Sequence, residues 1–177
     1  WPWSLIRNNE KAAVQRCLGN VSGHTILDFG AGAGFYSKLV LDIGAKHVVA
    51  VDFAENMVES LPNQNITRVF GNATDIKLPT TFSKIIMAGL LEFVPNAESL
   101  FSNAQRHAIN GAIMVVLAPV KNLWGKCYQA YHLNHKINIK LFTANELISL
   151  GARTNWQYIS KEAVLPFSLV LGFKAVK

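Results

Sequence analysis

Long apolar runs are absent from this chain of 177 residues. Half of its residues are hydrophobic, yet no segment approaches the roughly 20 uninterrupted apolar residues of a membrane span. Cysteine is scarce. Cys17 and Cys127 stand far apart with no partner spacing, which argues against a disulfide framework and for a reducing, cytoplasmic compartment. Both are expected as buried or half-buried free thiols. Repeats, low-complexity tracts and linkers are also lacking. The chain therefore reads as one domain, residues 1–177, long enough for a sizeable core. It begins at Trp1 rather than methionine, so further residues upstream are expected. Trp1 and Trp3 are either the stub of an N-terminal lid or core packing.

Carboxylates are missing over a long stretch, with none from Ser99 through Asn145. Residues 1–98 carry 8 Lys/Arg against 9 Asp/Glu, and residues 99–177 carry 9 against 2. The net charge of +6 is thus concentrated in the second half. A basic half raises the question of phosphates, although a high pI is also common in proteins that bind none.

Two familiar phosphate-binding signatures are absent. There is no Walker G-x-x-x-x-G-K-[ST], and the dinucleotide G-x-G-x-x-G/A is broken. Gly30 and Gly32 fit it, but Phe35 occupies the last position and Gly34 comes one residue early. What is present is Ile26-Leu27-Asp28-Phe29-Gly30-Ala31-Gly32-Ala33-Gly34, an apolar run, an acidic residue and three alternating glycines. This is a buried strand, a tight turn and a helix start, with glycines that let a ligand lie on the backbone. A carboxylate at the strand end suits a cationic ligand group better than a pyrophosphate. Asp52 ends the next strand about 20 residues on, where a carboxylate can accept from ribose hydroxyls.

Periodicity gives the rest of the order. Helices are expected at 5–18, 34–43, 54–61 (ended by Pro62), 97–108 and 121–135. Another follows Thr143, where Glu146 completes a capping box. Strands are expected at 25–29, 47–51, 66–70, 82–87, 112–117, 155–159 and 168–176. Strands alternating with helices imply an α/β fold with a largely parallel sheet covered on both faces, closed by an antiparallel pair.

Four segments in this order resemble the class I S-adenosylmethionine-dependent methyltransferases, small-molecule type. They are Asp28–Gly34, Val51–Met57, Gly71–Asp75 and Phe82–Val94, and the resemblance covers roughly residues 22–118. It implies a Rossmann-like seven-stranded, mostly parallel sheet with an antiparallel C-terminal strand, and S-adenosyl-L-methionine as cofactor. Gly30, Ala31 and Gly32 would lie against the methionine moiety, and Asp28 would help hold its amino group. Asp52 would bind the ribose hydroxyls. Phe53 and Met57 would flank the adenine, Asn72 and Ala73 would meet its edge, and Ala88, Gly89 and Leu90 would line the cofactor near the sulfonium. The competing readings are structural: Asp28 and Asp52 as caps, Phe53 and Met57 as core, Asn72 as a turn residue.

The acceptor is less legible. The loop after the fourth strand lacks the Asp/Asn/Ser-Pro-Pro-aromatic motif of amino-DNA methyltransferases, and no Pro-Cys nucleophile follows that strand. Residues 121–142 read as a cap over the acceptor site, with Tyr128, His132 and His135 as candidate catalytic groups, the histidines as general bases near neutral pH. No metal site is expected, because the histidines have no carboxylate nearby. The leading reading is methyl transfer to oxygen or nitrogen of a small molecule, aromatic or anionic. The alternatives are an RNA methyltransferase using the basic half and a non-catalytic S-adenosylmethionine-binding subunit.

Overall fold

The computed structural model describes residues 2–61 and 64–177. The chain runs α1 (Pro2–Leu18), β1 (Thr25–Phe29), α2 (Phe35–Asp42), β2 (His47–Asp52), α3 (Glu55–Ser60), β3 (Ile66–Phe70) and β4 (Phe82–Ala88). A 3-10 turn at Leu91–Phe93 follows, then α4 (Ala97–His107), β5 (Ala108–Pro119), α5 (Leu123–Asn134), α6 (Ala144–Arg153), β6 (Trp156–Val164) and β7 (Ser168–Ala175). Trp1 and the Pro62 helix stop lie outside the described residues, and so does the side chain of Trp3.

Side-chain alternation along the strands builds two apolar layers. Ile26, Ile86, Val115 and Val170 face a layer that includes Val14, Leu18 and Val40 of α1 and α2. Their neighbours Leu27, Ile85, Met87, Met114 and Leu171 face the opposite layer, with Leu100 and Phe101 of α4 and Leu147 of α6. Strands buried on both faces need mostly apolar residues, and β1, β4 and β5 supply them, with Asp28 the buried polar exception in β1. In the second layer Trp156 is buried, and its indole N–H donates to the Phe101 carbonyl at 3.1 Å.

The seven strands form one sheet in the order β3-β2-β1-β4-β5-β7-β6. Neighbours among β1 to β5 pair in parallel, and β7 runs antiparallel to both β5 and β6. Strand order reverses between β1 and β4. A crevice opens there at the carboxyl ends of the strands, the usual place for a ligand in an open α/β sheet.

Three details differ from the sequence reading. β5 begins at Ala108, directly after α4, because Gly111 (φ 75°) takes up a register shift opposite β4. β6 continues to Val164 instead of stopping near 159. Its second half carries Lys161 and Glu162, in the stretch expected to connect the last two strands. On an edge strand such charges face outward without cost, and Glu162 pairs with Arg16 of α1 at 3.0 Å. Cys17 is buried, but Cys127 stands exposed on α5.

The capping box at α6 is formed. Thr143 Oγ1 accepts from the Glu146 N–H, and Glu146 Oε2 accepts from the Thr143 N–H. Thr143→Ala is expected to lower stability by about 1 kcal/mol in urea unfolding, the usual worth of such a cap. No change would mean that α6 is held by packing alone.

Candidate functional site

The glycine turn after β1 is fixed onto β2 by its own backbone. Gly30 and Ala31 both donate to the Val51 carbonyl, at 2.8 and 3.1 Å. Gly30, Gly32 and Gly34 all have left-handed φ, at 72°, 52° and 78°, so the turn needs glycine for conformational reasons. Space separates their roles. A Cβ on Gly30 would meet Leu90, and one on Gly34 would overlap Leu61, whereas a Cβ on Gly32 would meet nothing within 4 Å. Gly32 therefore faces open space, as a backbone cradle for a ligand must.

Asp52 closes this cradle. Its Oδ2 accepts from the Gly32 N–H at 2.8 Å, and its Oδ1 accepts from the Ala54 N–H at 2.9 Å. It does act as a cap, and it also ties the turn to the end of β2. A carboxylate has about four lone-pair sites, so two remain for other donors. Beyond it, Phe53 is 70% and Met57 41% exposed, which removes both from the core. An exposed phenyl ring beside the cradle is a surface on which a flat ring can lie.

Asp28 is buried on the α1/α2 side and accepts from Ser37 Oγ at 2.6 Å. Burial pushes its carboxyl up to about 7, against the Ser37 hydrogen bond and with help from the Asp52 charge. This sequesters Asp28 more than a direct ligand contact would need. Asn72 also differs from expectation. Its Oδ1 already accepts from the Thr74 N–H and Oγ1, at 3.0 and 2.9 Å. The turn uses the oxygen that an adenine amino group would need. Ala73 is buried, and its carbonyl accepts from the buried Asn103 of α4 at 2.9 Å. Asn103 anchors this segment, and only its polarity on an apolar helix face could have signalled that.

On the other side of the crevice, Ala88 and Gly89 continue from β4 into a cavity of about 250 Å³. Gly89 donates to the Leu117 carbonyl at 3.0 Å. Glu10 and Arg7 of α1, Tyr36 of α2, Glu92 of the 3-10 turn and Tyr128 of α5 line it. Tyr128 stacks on Phe167, with ring centroids 4.9 Å apart and planes 6° apart. Glu92 is only 5% exposed, and its Oε2 has no hydrogen-bond partner among the described residues. Desolvation pushes its carboxyl up to about 7, opposed by its own backbone N–H and reinforced by Glu10. Glu10 accepts from Ser168 Oγ and is likewise raised by burial. Neither glutamate was singled out from sequence.

Of the three candidate catalytic groups on α5, only Tyr128 lines this cavity. Burial, Glu92 and Glu10 push its hydroxyl up to about 12, so it stays protonated near neutrality and cannot serve as a base there. His132 packs edge-on against Tyr128 and Phe93, outside the lining residues. His135 sits at the C-cap of α5, with Nδ1 2.9 Å from the Tyr131 carbonyl oxygen. Both imidazoles follow Tyr128 along the same helical face, but neither is among the residues that line the cavity. A second, open groove of about 810 Å³ runs between α5, α6 and residues 138–142 and includes none of the cradle residues. Two of its cations, Lys121 and Arg153, face Glu146 and Glu98 at 3.7 and 3.6 Å.

Known proteins share this fold. A family model described as a methyltransferase domain matches residues 27–116. A probable histone-arginine methyltransferase 1.4 of Arabidopsis thaliana is 36% identical over 76 residues, covering 38% of this chain and 14% of that protein. The chain thus spans only a small part of that relative. An S-adenosylmethionine-dependent methyltransferase from Mesorhizobium loti superimposes with a TM-score of 0.78 at 17% identity, over 94% of this chain and 97% of that one. Magnesium protoporphyrin IX methyltransferase from Synechocystis, solved with bound S-adenosylhomocysteine, gives 0.75 at 16% identity, over 97% and 85%. At such identities the likeness is one of fold. No helix among the described residues is long and apolar enough to cross a membrane.

Proposed function

The chain belongs to the methyltransferase-domain family, and from that we propose that it binds S-adenosyl-L-methionine and transfers a methyl group to nitrogen or oxygen of a small molecule. One observation carries this reading: the open cradle at Gly32 follows β1 and the cavity lined by Ala88 and Gly89 follows β4, so both stand at the carboxyl ends of two neighbouring parallel strands. A donor held in the first would present its reactive end to an acceptor held in the second.

The residues present suit the cofactor. Gly30, Ala31 and Gly32 offer a close backbone approach to the methionine moiety, and Asp28, behind the turn, holds its amino group through Ser37 or water rather than directly. The free lone pairs of Asp52 take the ribose hydroxyls. Phe53 and Met57 supply the apolar surface for the adenine. Asn72 presents its amide NH2 to the ring edge in place of its occupied oxygen, and Ala73 fixes the segment. Ala88, Gly89 and Leu90 bound the space near the reacting centre. Bound there, S-adenosylmethionine supplies an electrophilic methyl group on a sulfonium. The protein's part is to align the acceptor and keep water out.

The cavity's modest volume and aromatic walls support a small molecule over RNA, as does the pairing of Lys121 and Arg153 with acidic neighbours. Residues 121–142 act in this reading as one wall of the acceptor site, through Tyr128. Calorimetry with S-adenosylmethionine, S-adenosylhomocysteine and NAD tests the cofactor assignment. The first two are expected to bind and NAD is not. Binding of NAD alone would overturn it, and RNA binding that falls steeply with salt would favour the nucleic-acid alternative.

A further inference from the structure

The cavity behind Gly89 is acidic although the chain is basic. Glu10 and Glu92 line it together, with Arg7 as the one lysine or arginine among its lining residues. Arg7 is shared. It lies 5.0 Å over the Phe35 ring and lowers the Glu10 carboxyl by its charge. Glu92 is left with a buried, unpartnered Oε2, and its Oε1 would stand 3.8 Å from a Cβ on Gly89. A carboxylate buried without a partner is costly, and a cation or strong donor entering the cavity would relieve that cost. The aromatic walls, Tyr36, Phe93 and Tyr128 among them, favour a cation as well. An anion would meet two acidic side chains in the lining.

We propose that this cavity takes a small amine, cationic in solution, and that Glu92 removes the ammonium proton before methyl transfer. The assignment rests on the methyltransferase reading above, narrows its acceptor to nitrogen and replaces the anionic acceptor expected from sequence. The amine enters as R–NH3⁺ and passes one proton to the Glu92 carboxylate. The freed lone pair forms the N–C bond as the C–S bond breaks, with that bond's electrons going to sulfur. The product is a methylammonium ion, and Glu92 returns its proton to water as the product leaves. Glu10, held by Ser168, keeps a second negative charge beside the incoming cation. Among the described residues, the remaining ionisable groups that line the cavity with Glu92 and Glu10 are Arg7 on α1, Tyr36 on α2 and Tyr128 on α5. The two tyrosines are held neutral by burial.

Binding of 2-phenylethylamine and 3-phenylpropionate, matched in ring and length but opposite in charge, tests this. NMR titrations use the whole chain with and without S-adenosylhomocysteine. The amine is expected to bind at least about tenfold more tightly than the acid, a modest demand for a cation beside one buried and one half-buried carboxyl group. Glu92→Gln should remove most of that preference while leaving S-adenosylhomocysteine affinity unchanged. Calorimetry near pH 7 in buffers of different ionisation enthalpy should show proton release on amine binding, absent in Glu92→Gln. Equal or tighter binding of the acid, no detectable binding of either probe, or an undiminished preference in Glu92→Gln would overturn the assignment. Failure of S-adenosylhomocysteine to bind the wild-type chain would instead remove the methyltransferase reading, and the arm without it would still decide the charge preference.

Discussion

Asp52→Ala is expected to weaken S-adenosylhomocysteine binding by about a hundredfold or more. The carboxylate has two jobs in the proposed site. Its remaining lone pairs meet the ribose hydroxyls, and each hydrogen bond to a charged group is worth about 1.5–3 kcal/mol. Its oxygens also hold the Gly32 and Ala54 N–H groups at 2.8 and 2.9 Å. Losing these frees the turn against which the methionine moiety would lie. The fold itself should survive with a loss of about 1 kcal/mol, because both N–H groups can turn to water. Gly32→Ala is the companion test. Its Cβ would enter the open space that the ligand needs, and the left-handed φ of 52° adds about 1–2 kcal/mol of strain. Calorimetry and urea unfolding separate the two effects. An Asp52→Ala protein that binds within a few-fold of wild type would show that the ribose lies elsewhere.

The second large effect is on stability against pH. Asp28 and Glu92 are both buried carboxyls pushed up to about 7. A folded-state value above the unfolded one means that the folded protein binds these protons more tightly. Their contribution to stability is therefore fully present below the unfolded values near 4 and is lost as pH rises to about 7, after which it is flat. For Glu92 the loss is up to about 3 kcal/mol. Glu92→Gln removes the charge that must be buried. It is expected to be more stable than wild type at pH 8, by about 1–3 kcal/mol, and nearly equal to it at pH 4. Urea midpoints at the two pH values measure this. A variant less stable than wild type at pH 8 would show that Glu92 is stabilised by a partner after all. Such a gain also fits a functional group, since a charge kept at a cost to the fold is one that the site uses.

Why the cradle was legible and the acceptor site was not follows from where their residues come from. Asp28 through Gly34 is one continuous stretch. Its strand, turn and helix start are dictated locally, by apolar run and glycine, and Asp52 follows at the interval that one βαβ unit imposes. The acceptor cavity has no such local grammar. Glu10 comes from the first helix, Glu92 from a 3-10 turn, Tyr128 from α5 and Ser168 from the last strand. In sequence only Tyr128 stands out, and the other three are unrelated polar residues. His132 and His135, which look catalytic in sequence, follow Tyr128 by one and two turns and lie beyond the residues that line the cavity.

The sequence by itself determined the order of elements, the sheet with both faces covered, and the glycine turn with its acidic partner at the end of β2. All of these depend on residue type at short spacing, on the preference of glycine for left-handed backbone and on the period of apolar residues. Only the tertiary structure decided that Asn72 spends its oxygen on its own turn, that Phe53 is exposed beside the cradle, and that two glutamates face one cavity in a basic chain. Those are matters of burial and proximity between distant segments. A carboxylate such as Glu92 acquires its unusual proton affinity only when the fold removes it from water.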